Sequence, residues 1–74
     1  MNQIDKLISL KDRVNIKCGT YYSFVFENNG TVTLEDMKFK KTCTHGMVVI
    51  NKNIEDMIIF LQDILNKLED KKND

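Results

Sequence analysis

The side chains with the most reactive chemistry in this sequence are two thiols and one imidazole, Cys18, Cys43 and His45. Thiolates and imidazoles are ligands that zinc prefers, and a Cys beside a His is also a common activated nucleophile. Zinc sites need three or four protein ligands, however, and no CxxC or HxxxH spacing supplies the others. We therefore expect no metal site here. We expect instead that both thiols face the core and that the histidine lies in a turn. A Cys18–Cys43 disulfide is the open alternative.

Other catalytic signatures do not occur in the sequence. It contains no GxGxxG, GxxxxGK[ST], GxSxG or HExxH string, and the carboxylates near the C-terminus look like a solvated helix face rather than a paired acid and base. With 74 residues and 8.7 kDa, the chain has the size of one small domain with little room for a deep cleft. We expect a single domain over residues 1–74 that is not an enzyme and carries no cofactor.

Charge is distributed unevenly although eleven basic residues balance eleven acids. Residues 38–52 carry four Lys and no acid, whereas residues 53–70 carry five acids and one Lys, so +4 lies beside −4 in the sequence. The basic segment favours contact with a phosphate backbone through Lys38, Lys40 and Lys41, with Tyr21 as a stacking platform. The acidic segment favours docking into a basic groove of a partner protein.

Apolar spacing predicts a helix, then several short strands, then a second helix. Asn2 is the candidate cap of a short first helix that ends near Lys11 or Asp12. Alternating apolar residues predict strands over 14–18, 21–27, 31–34 and 37–43, and the continuous apolar run 47–50 predicts a strand buried on both faces. A three-residue loop with Gly30 in the left-handed region keeps Phe26 opposite Val32 and leaves one sheet face apolar.

The second helix is the clearest element in the sequence. Asn53 is its predicted cap, acids occupy its first turn, and it is expected to run to about Asp70, with a frayed polar tail over 71–74. Its apolar stripe consists of Ile54, Met57, Ile58, Leu61, Ile64, Leu65 and Leu68. The sequence therefore predicts an α+β domain in which a small antiparallel sheet of four or five strands packs against a long C-terminal amphipathic helix and a short N-terminal helix.

Ile59 and Phe60 lie outside that stripe and widen the apolar surface of the second helix. Coverage within the chain, a homodimer through this helix and a different protein partner are the three explanations that the sequence leaves open. For a protein partner, the predicted contact residues are Glu55, Asp56, Ile59, Phe60 and Asp63. The alternative, nucleic-acid binding, would instead use Lys38, Lys40 and Lys41 together with Tyr21.

The overall profile resembles small accessory proteins of phages and mobile elements from low-G+C bacteria, on size, motif content and Lys/Asn/Ile-rich composition. That resemblance implies an inhibitor that binds a host nucleic-acid-targeting defence complex, of the anti-CRISPR or anti-restriction type. No apolar run approaches the eighteen residues of a membrane span, and the N-terminus lacks the pattern of a secretory signal. We expect a cytoplasmic protein of a bacterial host that works by binding.

Overall fold

The structure, a computed structural model, describes residues 2–38 and 46–73, with side chains described as far as residue 69. Its elements follow in the order α1 (Gln3–Cys18), β1 (Tyr22–Phe26), β2 (Thr31–Asp36), β3 (Met47–Asn53) and α2 (Ile54–Asn73). The strands form one antiparallel sheet in the order β1-β2-β3, and both helices contribute to a core against one of its faces. The predicted α+β class with an antiparallel sheet packed on helices is confirmed.

The core lies between the helix pair and the inner face of the sheet. Val32 and Leu34 are two residues apart in β2, so both side chains point to the same face, and both are fully buried. Each helix contributes one apolar stripe to the same cluster, which consists of Leu7, Leu10, Val14, Met57, Leu61 and Leu65. Burial of this kind contributes roughly 1.5–3 kcal/mol for each fully buried aliphatic side chain.

Helix α1 begins as predicted but is longer than predicted. The side-chain oxygen of Asn2 accepts a hydrogen bond of 2.8 Å from the backbone N–H of Asp5, which is the predicted cap. The helix then continues past Lys11 and Asp12 to Cys18, over 16 residues in all. Gly19 follows as the capping residue, and its φ of 66° is the left-handed conformation that commonly terminates a helix.

The strand predicted over residues 14–18 is wrong, because that segment is the last part of α1. Apolar residues at 14, 16 and 18 alternate as in a strand, but Val14 also follows Leu7 and Leu10 at helical spacing. Packing decides between the two periodicities: Val14 is 1% exposed in the core, whereas Ile16 is 83% exposed on the far side of the helix. Contact of the helix with α2 therefore outweighs the local alternation.

The β1–β2 hairpin has the predicted register. Phe26 pairs with Val32 and Phe24 pairs with Leu34, which requires the predicted three-residue loop rather than a two-residue turn. Gly30 has a φ of 90°, as the left-handed position of that loop demands. The hydrophobic pattern and the turn residue agree on one register, which is why the local sequence is sufficient here.

The structure supports the two remaining strand predictions only in part. Of the strand predicted over 37–43, Met37 and Lys38 form a 3₁₀ turn and the remainder lies outside the described residues. The run 47–50 does form part of β3, but its predicted burial on both faces is wrong, since Met47, Val48 and Val49 are 57%, 59% and 41% exposed. Among residues 2–38 and 46–73, β3 is hydrogen-bonded to β2 alone and so lies at an edge of the described sheet. Over residues 2–38 and 46–73 the sheet therefore has three strands rather than four or five.

Helix α2 has the predicted start and the predicted buried stripe. The Asn53 side-chain oxygen accepts a hydrogen bond of 2.8 Å from the backbone N–H of Asp56, confirming the cap. Met57, Leu61 and Leu65 lie on one face and are fully buried. The helix ends at Asn73, three residues beyond the predicted end at Asp70.

Candidate interaction surfaces

The outward side of α2 combines an exposed isoleucine with carboxylates. Ile59 lies two residues, or about 200°, from Leu61 at the centre of the buried stripe, so its side chain points away from the core. Its side chain is 59% exposed. Glu55, Asp56 and Asp63 are exposed on the same outward side, and Glu55 and Asp63 lie one helical turn before and after Ile59. We call these four residues the acidic face of α2.

Phe60 does not belong to the acidic face. Its ring is half-buried and packs against the core, and the Lys52 ammonium of β3 lies 5.8 Å from the ring centroid. A lysine at that distance contributes a cation–π attraction and covers part of the ring. The five residues predicted to bind a partner are thus divided: four are presented to the solvent, while Phe60 serves the packing of α2 against β3.

The acidic face carries little compensating charge. Within the described side chains, ion pairs join Lys11 to Asp12 and Arg13 to Glu69, and neither involves the acidic face. Asp56 accepts a hydrogen bond of 3.1 Å from the Asn53 side-chain amide, which is a neutral donor. Lys67 follows Asp63 by one turn and is the nearest cation in the helix sequence. The face therefore has a net negative charge around an apolar centre.

Part of the predicted nucleic-acid surface lies in a groove beside the C-terminal half of α1. Tyr21, which is 66% exposed, and Lys38 both border this groove. The other lining residues are Lys11, Asp12, Asn15, Tyr22, Ser23 and Met37. Lys40 and Lys41 lie outside the described residues. The structure thus brings together one aromatic ring and one exposed cation of the four residues predicted for this role.

Tyr22 is a half-buried titratable side chain of this groove. Burial raises the pKa of its phenol above the ordinary value, and the negative charge of Asp36 and then of Cys18 raises it further. The prediction of a core-facing thiol is wrong for Cys18, which is exposed at the end of α1 with a free thiol. Cys43 and His45 lie outside the described residues. Among residues 2–38 and 46–73, no three His, Cys, Asp or Glu side chains form a metal-binding group.

One residue of structural importance escapes sequence reasoning. The Asn15 side-chain oxygen accepts hydrogen bonds from the Tyr22 backbone N–H at 2.8 Å and the Thr20 hydroxyl at 2.9 Å, and its amide donates to the Tyr22 carbonyl at 3.1 Å. An asparagine inside a helix normally signals only a weak helix former. Its role appears only when the end of α1 and the start of β1 are seen side by side.

Comparisons with known proteins assign no family to this chain. No protein-family model, curated protein or solved structure matches it. In the part of the chain that the structure describes, no helix has the length and apolarity needed to cross a bilayer. A proposal for function accordingly rests on the surfaces described above.

Proposed function

We propose that this protein is a non-enzymatic binding module that docks on a partner protein through the acidic face of α2. The observation that supports this most is Ile59, a large aliphatic side chain that is 59% exposed on the side of α2 opposite the core. Large side chains surrounded by polar residues form the energetic centre of many interfaces, because the polar rim keeps water away from them in the complex. Glu55, Asp56 and Asp63 provide that rim.

The chemistry of the acidic face specifies the partner surface. An apolar pocket for Ile59, bordered by Lys or Arg, would complement both the isoleucine and the three carboxylates. Such charge complementarity mainly increases the association rate and the specificity, and its contribution falls as salt is added. The contribution of isoleucine burial to affinity is far less sensitive to salt, and it would appear mostly as a slower dissociation of the complex.

The finer proposal concerns the identity of the partner. Basic grooves are the hallmark of nucleic-acid-handling proteins, since they neutralise phosphates with Lys and Arg. A small acidic surface placed in such a groove competes with the nucleic acid without any catalysis. We therefore propose a phage- or mobile-element-encoded inhibitor that acts in the bacterial cytoplasm on a nucleic-acid-targeting defence complex, of the anti-CRISPR or anti-restriction type.

The test is affinity capture from a nuclease-treated lysate of the bacterial host, with two matched pairs of variants. Glu55→Lys with Asp63→Lys reverses charge on the acidic face, and Asp5→Lys is its control, because Asp5 is an exposed acid in the first turn of the other helix. Ile59→Ala removes the apolar centre. Ile16→Ala is its control, because Ile16 is also an exposed helical isoleucine, at 83%.

The proposal predicts a protein partner whose capture withstands nuclease treatment, is weakened by both acidic-face variants and is unchanged with both controls. Capture should weaken by about tenfold for each acidic-face change, the usual scale of a contact worth more than 1 kcal/mol. Equal capture by wild type, variants and controls would remove the acidic face from the binding surface. Recovery of nucleic acid alone would favour the second candidate function.

That second candidate is single-stranded nucleic-acid binding in the groove beside α1. Tyr21 and Lys38 border the same groove, so a base stacked on the ring would have its phosphate within reach of a cation. Tyr21→Ala and Lys38→Ala would each weaken binding of a labelled oligonucleotide, and added salt would weaken it further. An oligonucleotide that shows no salt-sensitive binding would exclude this function.

A further inference from the structure

The outer edge of β1 presents backbone groups that no part of the described chain uses. Glu27 donates to the Thr31 carbonyl at 2.9 Å, and the Tyr21 carbonyl accepts from Met37 at 2.8 Å, so odd-numbered residues of this strand bond to β2. Even-numbered residues therefore direct their N–H and C=O groups away from the sheet. A free edge of this kind is a template for a further strand.

Asn15 already occupies the first of these positions. Its carboxamide donates to the carbonyl of Tyr22 and accepts from the N–H of the same residue, at 3.1 and 2.8 Å, in the way a neighbouring strand would. Phe24 and Phe26 are the remaining even-numbered residues of β1. Among the described residues, no hydrogen bond satisfies their outward backbone groups. The free edge thus consists of the three residues from Phe24 to Phe26.

A stripe of α1 runs along this edge and adds apolar surface to it. Asn15 contacts Tyr22, and the Lys11 ammonium lies 5.7 Å from the centroid of the Phe24 ring, so the two elements run antiparallel. The next residues of the stripe are Ile8 and Ile4, one and two turns further along α1. A rise of about 1.5 Å per residue in the helix and about 3.3 Å in the strand brings Ile8 towards the level of Phe26.

These side chains are only partly covered within one molecule. Phe26 is 47% exposed, Ile4 43% and Ile8 38%. Together with the outward backbone groups of Phe24 and Phe26, they form a surface that we call the β1 edge. Val25 is 40% exposed on the opposite face of the strand. Uncovered apolar residues beside unsatisfied strand hydrogen bonds are typical of an interface rather than of a solvated edge, which is usually protected by charge.

We propose that the β1 edge binds the β1 edge of a second copy of this chain, antiparallel about a twofold axis at Val25. In this register Phe24 of each copy exchanges both backbone hydrogen bonds with Phe26 of the other. The two three-stranded sheets become one continuous sheet. The axis is perpendicular to the sheet, so both α1 helices lie on the same face, and the Ile4 and Ile8 flanks of the two copies are brought towards each other.

Charge favours a second copy as the occupant of this edge. A twofold interface places each surface against its own image, so a surface with net charge repels itself. Residues 22–26 carry no formal charge at neutral pH, and the nearby Lys11 is paired with Asp12 at 3.3 Å. By the same reasoning, the three carboxylates around Ile59 disfavour the predicted homodimer through α2.

The shortness of the edge also favours self-association over capture of an extended peptide. Asn15 blocks the edge at Tyr22 and the hairpin loop begins after Glu27, so a peptide would gain backbone bonds with only Phe24 and Phe26. Net gains of about 1 kcal/mol per hydrogen bond would not offset the ordering of a flexible peptide. A second folded copy is already ordered and also brings its own Ile4 and Ile8.

Sedimentation equilibrium of the full chain from about 1 µM to about 1 mM, together with disulfide trapping, tests the proposal. Ile8→Lys introduces two like charges across the axis and should weaken dimerisation by about tenfold or more. Ile16→Lys is the matched control on the exposed side of α1 and should leave the dissociation constant within about twofold. Helical circular dichroism confirms that both variants fold.

The disulfide-trapping experiment uses one cysteine per chain, placed at the proposed twofold axis. In a Cys18→Ser, Cys43→Ser background, the Val25→Cys residues of two copies form a non-hydrogen-bonded pair with Cα atoms about 4.5 Å apart, within the range that a disulfide spans. Diamide, which takes up two electrons and two protons from the thiols, should then yield a covalent dimer. Val48→Cys, on the opposite edge strand and 59% exposed, is the control that should stay monomeric.

The results separate this proposal from its competitors. A concentration-dependent dimer that is weakened by Ile8→Lys and trapped through Val25→Cys would establish the β1 edge as the interface. A chain that stays monomeric to about 1 mM would overturn the proposal, as would a dimer lost with Ile59→Lys but not with Ile8→Lys. Preferential trapping through Val48→Cys would instead assign the interface to β3.

Discussion

Replacing Asn15 with Ala tests how the end of α1 is joined to the sheet. The substitution removes three hydrogen bonds at once, two with the Tyr22 backbone and one with the Thr20 hydroxyl, at 2.8–3.1 Å. All three are partly buried, so water replaces them only in part. No other side chain in the described part of the chain hydrogen-bonds the Tyr22 backbone. We therefore expect the end of α1 to be held less firmly against the start of β1.

The expected loss in the free energy of unfolding follows from the three hydrogen bonds and from the change in helix propensity. Each hydrogen bond contributes about 0.5–1.5 kcal/mol net, which gives about 1.5–4.5 kcal/mol for the set. Ala is a better helix former than Asn by about 0.5 kcal/mol, which offsets part of the loss. Partial access of water favours the lower half of the range, so we expect a loss of about 2 kcal/mol. For a domain of this size that loss lowers the Tm by about 8–16 °C.

Urea unfolding followed by helical circular dichroism measures this loss, with Asn66→Ala as the control. Asn66 is an exposed asparagine within α2 whose side chain accepts one bond of 3.2 Å from Gln62. The control therefore shares the gain in helix propensity but loses little else. A difference between the two variants below about 0.5 kcal/mol would refute the view that Asn15 joins α1 to β1.

Two further predictions concern the cap of α2 and the half-buried groove tyrosine, Tyr22. Asn53→Ala should destabilise the fold by about 1 kcal/mol in urea unfolding, because it leaves the Asp56 N–H without its acceptor. Asn53→Asp, which keeps an acceptor, should retain most of that stability. Burial and the Asp36 charge raise the pKa of Tyr22, so the folded state holds the phenolic proton more tightly than the unfolded chain does. The contribution of Tyr22 to stability is complete below about pH 10 and is lost as the pH rises further. Tyr22→Phe should therefore flatten the fall in urea midpoint above about pH 10, and an unchanged fall would contradict this assignment.

The elements that were predictable from the sequence are those determined by neighbouring residues. The Asn53 cap and the stripe through Met57, Leu61 and Leu65 require only helical periodicity and one side-chain oxygen. The β1–β2 register requires only strand alternation and a glycine able to adopt positive φ, here Gly30. In each case two local signals favour the same conformation, and the tertiary contacts favour it as well.

The candidate surfaces were predictable only in part. Exposure of Ile59 on the acidic face follows from the helical periodicity that places Leu61 in the core. The same periodicity places Phe60 about 100° from Leu61, at the border of the buried stripe. Whether Phe60 is covered there depends on Lys52, which belongs to a different element. The Asn15 contact and the β1 edge were missed for the same reason, because both depend on where α1 lies beside the sheet.

The sequence alone determined the class of the fold, the start of both helices and the hairpin register, because the interactions responsible join residues a few positions apart. Only the tertiary structure decided that residues 14–18 are helical, as Val14 reaches a core whose other side is α2. Only the tertiary structure placed β3 at an edge of the sheet that the described residues form, because the position of a strand depends on which other elements pair with it. The apolar run of β3 would be the same in a central strand and in an edge strand. Hydrophobicity gives a tendency to be buried, but it does not show whether a neighbouring element is present to bury the residue.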